Sequence, residues 1–242
     1  MSEGASEAAT EPTLPDARRR EVVRQAWSVG VASGTYGISF GALAVAAGLD
    51  LWQAQLLSLL MFTGGSQFAF VSIIGTGGLG AAPAAIATAS MLGIRNGLYG
   101  LQTSRFRGVS GVRRVVAAQL TIDESTAVAI GQPEQPAGRV GFWATGLAVF
   151  VLWNLMTLVG AVIGNALGDP RQYGLDAAAA AAFLALLWPR LRSADARAVG
   201  VAAALVALLL APHSPAGIPV LVAALAAVVV GVWRAYWTEP PA

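Results

Sequence analysis

Three polar runs interrupt otherwise apolar sequence, and each suggests a different chemistry. Thr63-Gly64-Gly65-Ser66-Gln67 sits between Leu56–Phe62 and Phe68–Val71. A helix in lipid satisfies its own backbone, so adjacent glycines beside hydroxyl and amide groups are costly there unless protein or a water-filled cavity covers them. Broken helices of this kind build substrate and ion sites in many secondary transporters. The alternative is a short loop, or a close helix pair with small residues at its contact. Freed backbone groups beside a hydroxyl and an amide suit a zwitterionic ligand, which makes Gly64, Gly65, Ser66 and Gln67 candidate substrate contacts.

The second run is Ile94-Arg95-Asn96-Gly97-Leu98-Tyr99. An arginine inside a membrane segment is expensive and is by default a functional-site candidate. Its planar fork matches a carboxylate; the alternative is a side chain that snorkels to the interface. Arg95, Asn96 and Tyr99 join the candidate substrate contacts. The third run, Thr121-Ile122-Asp123-Glu124-Ser125-Thr126, places two acids within one apolar segment. On a helix, adjacent side chains point about 100° apart, so one acid at most faces a substrate path directly, while the other pairs with Arg95 or meets water. A proton-coupled carrier needs a carboxylate tuned by burial, and Asp123 and Glu124 are candidates for ion or proton coupling. An ordinary solvated helix face is the alternative. Asn154, after Trp153, is a lesser substrate candidate that also suits an interhelical hydrogen bond. Asp176 is a lesser coupling candidate that equally suits a helix N-cap. His213 lies in Ala211-Pro212-His213-Ser214-Pro215, which its prolines mark as a turn.

Composition bounds these readings. The 242 residues are 56% hydrophobic and 12% charged, with mean hydropathy +0.64. Soluble domains are about a quarter charged, so this composition is that of an integral membrane protein. The net charge of +2 comes without a basic stretch of interleaved aromatics, which argues against nucleic-acid binding. No cysteine and one histidine exclude disulfides, thiolate metal sites and a multi-histidine centre. Neither a metal nor another cofactor is expected.

Eight apolar segments position the polar runs: 27–47, 51–74, 81–101, 112–130, 140–167, 175–188, 199–211 and 218–237. A crossing needs about 20 residues, so 175–188 and 199–211 are short, and 51–74 is long but interrupted at Gly64-Gly65. Residues 1–24 read as a disordered cytoplasmic tail, 25–237 as a single transmembrane domain and 238–242 as a short C-terminal tail. The N-terminal stretch lacks the pattern of a secretory signal. Arginines at 18–24, 105–114 and 190–197 should share the cytoplasmic face. Three apolar segments separate each cluster from the next, an odd number that conflicts with this rule. The expected fold is thus all-α and polytopic, with about seven or eight helical segments. Six full crossings result if 51–74 and 175–188 enter and return on one side; the alternative is plain spanning by nearly all segments. Gly48-Leu49-Asp50 and Gly174-Leu175-Asp176 precede those two segments alike, as an inverted repeat would produce.

The runs Gly37-Ile38-Ser39-Phe40-Gly41, Gly64-Gly65-Ser66-Gln67-Phe68, Arg95-Asn96-Gly97-Leu98-Tyr99-Gly100 and Leu120-Thr121-Ile122-Asp123-Glu124 occur in this order. Together with Phe183–Pro189 they resemble the AzlC family of large subunits of branched-chain amino-acid exporters, over most of residues 25–237. The resemblance implies a secondary transporter subunit in the cell membrane that exports Val, Leu, Ile or Met with a small AzlD-like membrane partner. Departures are Asn96, where the family usually has His, the lack of a proline near residues 33–38, and Ile122 inserted into the Leu-Thr-Asp-Glu pattern. These bear on substrate identity and on any proton step through the missing histidine. Two other classes compete: an intramembrane hydrolase and a non-transporting scaffold. Ser66 lacks the Gly-x-Ser-x-Gly elbow of a hydrolase, and a pairing of Asp123 with Asp176 has no supporting glycine motif.

Overall fold

Local signals in the chain account for where its helices start and stop. The computed structural model describes residues 14–167, 184, 187–188 and 191–237. Its helices are α1 (Asp16–Ala46), α2 (Leu51–Leu60), α3 (Gly64–Gly77), α4 (Ala82–Arg107), α5 (Gly111–Gln119), α6 (Asp123–Ile130), α7 (Gln135–Leu167), α8 (Ala194–Leu210) and α9 (Ile218–Trp237). No strand occurs among the described residues. Gly48, with φ of 92°, turns the chain after α1 in a left-handed conformation that glycine adopts without strain. Asp50 then caps α2: it accepts from the Gln53 amide at 2.8 Å, and Gln53 Oε1 accepts from the Asp50 amide at 3.0 Å, a reciprocal capping box. Ser193 caps α8 by accepting from the Ala196 amide at 3.1 Å.

Helix length decides what each element can do in a membrane. Among the described residues, Asp16–Ala46, Gln135–Ala166 and Ala194–His213 are long and apolar enough to cross. At about 1.5 Å per residue, α2, α3, α5 and α6 are each too short for a hydrocarbon core of about 30 Å. Helix α4 has 26 residues but carries Arg95, Arg105 and Arg107.

Three expectations need correction. Helix α1 begins at Asp16, ahead of the tail boundary expected at residue 24. Segment 112–130 is two helices, parted at Leu120-Thr121-Ile122. Residues Gly64 and Gly65 open α3 instead of forming the gap, which is Met61-Phe62-Thr63. Segment 175–188, apart from residues 184, 187 and 188, lies outside the described residues, and so does Gly174-Leu175-Asp176.

The contacts divide the chain into two units, one of residues 1–34 with 96–152 and one of residues 35–95 with 153–242. In the second unit, α1 and α7 run side by side at backbone distance. A side chain on Gly41 would strike the Thr157 carbonyl, and one on Gly160 would strike the Ile38 carbonyl. The spacings Gly37-x3-Gly41 and Gly160-x3-Gly164 supply the small faces that let helices approach so closely in a membrane. Phe40, Phe68 and Trp153 then lock α1, α3 and α7 together. Phe68 meets Phe40 edge-on at 5.8 Å and Trp153 edge-on at 6.2 Å, while Phe40 stacks on Trp153 at 6.2 Å. Such pairs each contribute about 0.5–1.5 kcal/mol beyond the area they bury. The α2–α3 pair leaves and returns at the same end of α1: a Cβ on Gly75, near the end of α3, would lie 3.1 Å from the Ala47 Cβ.

In the first unit, the α5–α6 pair likewise returns to the end of α4 from which it departs. The Gln135 amide donates to the Arg105 carbonyl at 2.7 Å, and Arg139 Nε donates to the Phe106 carbonyl at 3.2 Å. The same end holds the start of α1. Arg18 donates to Gln132 Oε1 at 3.0 Å and pairs with Glu21 at 2.7 Å and Glu134 at 3.5 Å. Arg18 and the Arg105 end of α4 therefore gather at one end of this unit.

Candidate functional site

The gap between α2 and α3 is built from short-range turns and long-range donors. The Met61 amide donates to the Leu57 carbonyl at 2.9 Å, and the Thr63 amide donates to Met61 at 2.7 Å. Thr63 occupies the N-cap of α3 in extended conformation, with no side-chain cap bond. The first helical bond runs from the Gln67 amide to the Thr63 carbonyl at 3.0 Å, so the amides of Gly64, Gly65 and Ser66 find no acceptor within their own helix.

Two large side chains press on that end because it begins with two glycines. A Cβ on Gly64 would stand 3.0 Å from Trp153 Cη2, and one on Gly65 would stand 3.0 Å from Arg95 Nη2. Ser66 is buried and its hydroxyl donates to the Ala89 carbonyl of α4 at 2.8 Å. Gln67 is buried and its Nε2 reaches back across the gap to the Ser58 carbonyl at 3.3 Å. That bond satisfies a carbonyl left over at the end of α2. Farther along α2, Gln55 Nε2 lies 3.4 Å from the Asn154 carbonyl, and Ser58 donates to Thr157 Oγ1 at 3.3 Å. The buried atoms Gln55 Oε1, Gln67 Oε1 and Trp153 Nε1 have no hydrogen-bond partner.

Six of the expected substrate residues thus share the second unit: Gly64, Gly65, Ser66, Gln67, Arg95 and Asn154. The glycines begin α3, and Arg95 of α4 packs against them. The Ser66 hydroxyl donates its proton to α4 and keeps its lone pairs. Asn96 and Tyr99 fall in the first unit. Asn96 is half-buried with its Oδ1 unpartnered, and the Tyr99 carbonyl accepts the Thr103 hydroxyl at 2.8 Å. Residue Asp176 lies outside the described residues.

Asp123 and Glu124 occupy the first turn of α6, not the middle of a continuous helix. The gap before them closes on itself. The Ser125 hydroxyl donates to the Leu120 carbonyl at 2.6 Å and accepts from the Ile122 amide at 3.1 Å. The Thr121 hydroxyl donates to the Ala117 carbonyl at 2.7 Å. Acids in a first turn also face the positive end of the helix dipole, which favours negative charge.

Sequence reasoning named Trp153 only beside Asn154 as a lesser candidate, and missed Gln55, Ser58 and Thr157. The available signal was spacing: Gln55 with Ser58, and Asn154 with Thr157, are polar pairs three residues apart in apolar helices, hence on one face. Among the described residues no cluster of His, Cys, Asp or Glu suits a metal ion.

No curated protein and no solved structure matches the chain. A family model does: AzlC protein, over residues 28–167. That span contains α2 through α6 with both helix gaps, Arg95 and Trp153. The apolar helices and this match together make the chain a membrane protein with a transport-related role, and it belongs to the AzlC family.

Proposed function

We propose that the chain is the large subunit of a secondary transporter that exports branched-chain and other hydrophobic amino acids, Val, Leu, Ile or Met, across the cell membrane. The observation that carries this reading is the α2–α3 gap. The short helix α2 ends there, and the uncapped N-terminus of α3 that follows packs against Arg95 and Trp153, within the family-matched region. Half-helix ends of this kind bind charged groups in other carriers. In this reading α2–α3 is a re-entrant pair, and the Arg18 and Arg105 end of the first unit faces the cytoplasm, as the positive-inside rule favours. The transporter has no catalytic role. Its partner is a small AzlD-like membrane subunit: no residue of α8 is buried within the chain, and lipid or a second membrane protein must cover that helix.

The test is counterflow of labelled leucine in proteoliposomes holding the purified chain, with and without the small partner. Exchange that requires the partner supports the whole reading. Exchange by the chain alone overturns the partner, and its absence in both preparations overturns transport of leucine.

A further inference from the structure

Helix α5 is amphipathic, but its apolar side faces away from the protein. It starts at Gly111, just after α4 ends at Arg107. Gly108 and Gly111, at φ of 52° and 56°, take the left-handed conformations of that tight reversal. Val112, Val115 and Val116 stand at i, i+3 and i+4 and share one side of the helix. Ala117 is buried, and at about 100° per residue it falls between Arg113 and Arg114 around the helix. The protein therefore packs on the arginine side of α5. The valines point outward, 79%, 70% and 43% exposed. A helix on a water-facing surface turns its charges outward, whereas an outward face of valine belongs against an apolar medium.

Depth and charge identify that medium. Helix α5 departs from the end of the first unit where Arg18 and Arg105 gather. Such charges are too costly for the bilayer centre, so that end lies at a membrane surface. Val116 is the sixth residue of α5, which puts the whole stripe within about 9 Å of the helix start. Interfacial helices bury their apolar face to about that depth. Arg105, Arg113 and Arg114 are exposed and have no ion pair among the described residues. No acid occurs from residue 96 to residue 122, and Glu21 and Glu134 at this end are already paired with Arg18. Unpaired cations beside an apolar stripe match a molecule that is both anion and hydrocarbon. We propose that α5 is an interfacial helix that binds anionic phospholipid, with acyl chains over the valine stripe and the phosphate held by Arg113, Arg114 and Arg105. The guanidinium fork suits phosphate oxygens. The site needs a membrane surface but is independent of the cargo and of which face that surface is.

The experiment counts lipids retained by the purified full-length chain, by native mass spectrometry from micelles holding equal phosphatidylglycerol and phosphatidylcholine with the same acyl chains. The unaltered chain should prefer phosphatidylglycerol. Arg113→Gln with Arg114→Gln should lower that preference about five- to thirtyfold, since each basic residue near a membrane surface adds a factor of about five toward anionic lipid. Changing Val112, Val115 and Val116 to Thr keeps side-chain shape and should reduce retention of both lipids without altering the preference. An arginine variant with unchanged preference overturns the proposal. The chain has no cysteine, so a nitroxide on Val115→Cys reports on α5 alone. In phosphatidylglycerol vesicles it should be open to oxygen and shielded from a water-soluble nickel chelate. Access by the chelate overturns the proposal. Shielding from both reagents also overturns it, because a second copy or another membrane protein would then cover the stripe. If the double arginine variant does not fold, Arg113→Gln and Arg114→Gln are measured singly, and each must lower the preference.

Discussion

The gap before α3 and the gap before α6 pose the same physical problem and meet it in opposite ways. Each ends one short helix and starts another within apolar sequence, leaving amides and carbonyls without helical partners. Before α6, the answer is local. Ser125 bonds Leu120 and Ile122, Thr121 bonds Ala117, and two acids stand in the first turn. Before α3, the answer is long-range and incomplete. Thr63 gives no cap, the first turn holds no acid, and the groups packed against it are the Arg95 guanidinium and the benzo tip of the Trp153 indole. A helix start that carries its own negative charge has no need of a ligand's charge. One without a cap or an acid leaves its charge to be met by groups from other parts of the chain or by a bound anion.

The largest expected effect comes from making the open gap resemble the closed one. In Thr63→Asp the carboxylate would cap α3, which stabilises a helix by about 0.5–2 kcal/mol over an uncapped start. It would also put a fixed negative charge at the helix end that the proposed reading gives to the cargo. Leucine binding should fall more than tenfold while the melting temperature holds or rises. A variant that binds leucine normally would break the comparison, because both gaps would then tolerate an internal acid. The converse change is Ser125→Ala, which strands the buried Ile122 amide and Leu120 carbonyl and should cost about 1–3 kcal/mol. Thermal unfolding of the purified chain should register that loss, with leucine affinity unchanged in the folded fraction. Weaker leucine binding there would tie the second gap to the cargo as well.

A third effect concerns the glycines that admit these two side chains. The Gly64→Ala Cβ meets a fixed ring atom of Trp153, whereas the Gly65→Ala Cβ meets the far end of a flexible arginine, each at 3.0 Å. The indole is held by Phe40 and Phe68, so Gly64→Ala should be the more destabilising, toward the lower end of the about 1–3 kcal/mol typical of overpacking. Arg95 can shift by a few tenths of an ångström, which should leave stability nearly unchanged and lower affinity several-fold. Reversed rankings in paired melting and binding measurements would mean that Arg95, not Trp153, is the rigid wall of the site.

What the sequence revealed follows from this difference. The break at Thr63–Gln67 was legible because glycine pairs and polar side chains are anomalous in a membrane segment. The glycines' place at the head of α3 was not, because it depends on Trp153 and Arg95 approaching from distant parts of the chain. The break at Leu120-Thr121-Ile122 contains neither glycine nor proline, so the usual markers of interruption were missing. Its signal was Ser125, a hydroxyl three residues beyond the last residue of the gap, which reads equally well as an ordinary helix residue. Arg95 stood out by its cost alone. Trp153 Nε1 did not, since an indole in an apolar helix looks like core until its neighbours are known.

The smallest effects on stability are expected at the two acids, and they separate a structural role from coupling. If Asp123 and Glu124 serve chiefly to balance the start of α6, Asp123→Asn and Glu124→Gln should each cost about 0.3–1 kcal/mol through the helix dipole. Because the two residues are adjacent, their effects need not add, and the double variant measures their interaction. Neither change should touch leucine affinity, since the proposed reading puts the cargo at the α2–α3 gap. Transport assays then decide what else the acids do. Counterflow exchanges cargo without net ion movement, so a carrier with a neutralised coupling acid keeps it and loses only accumulation driven by a proton gradient. An acid whose neutral variant shows that split is the coupling residue, positioned at a helix start that already favours its charge. If both variants keep both activities, α6 carries its acids for its own stability, and coupling must be sought elsewhere in the chain.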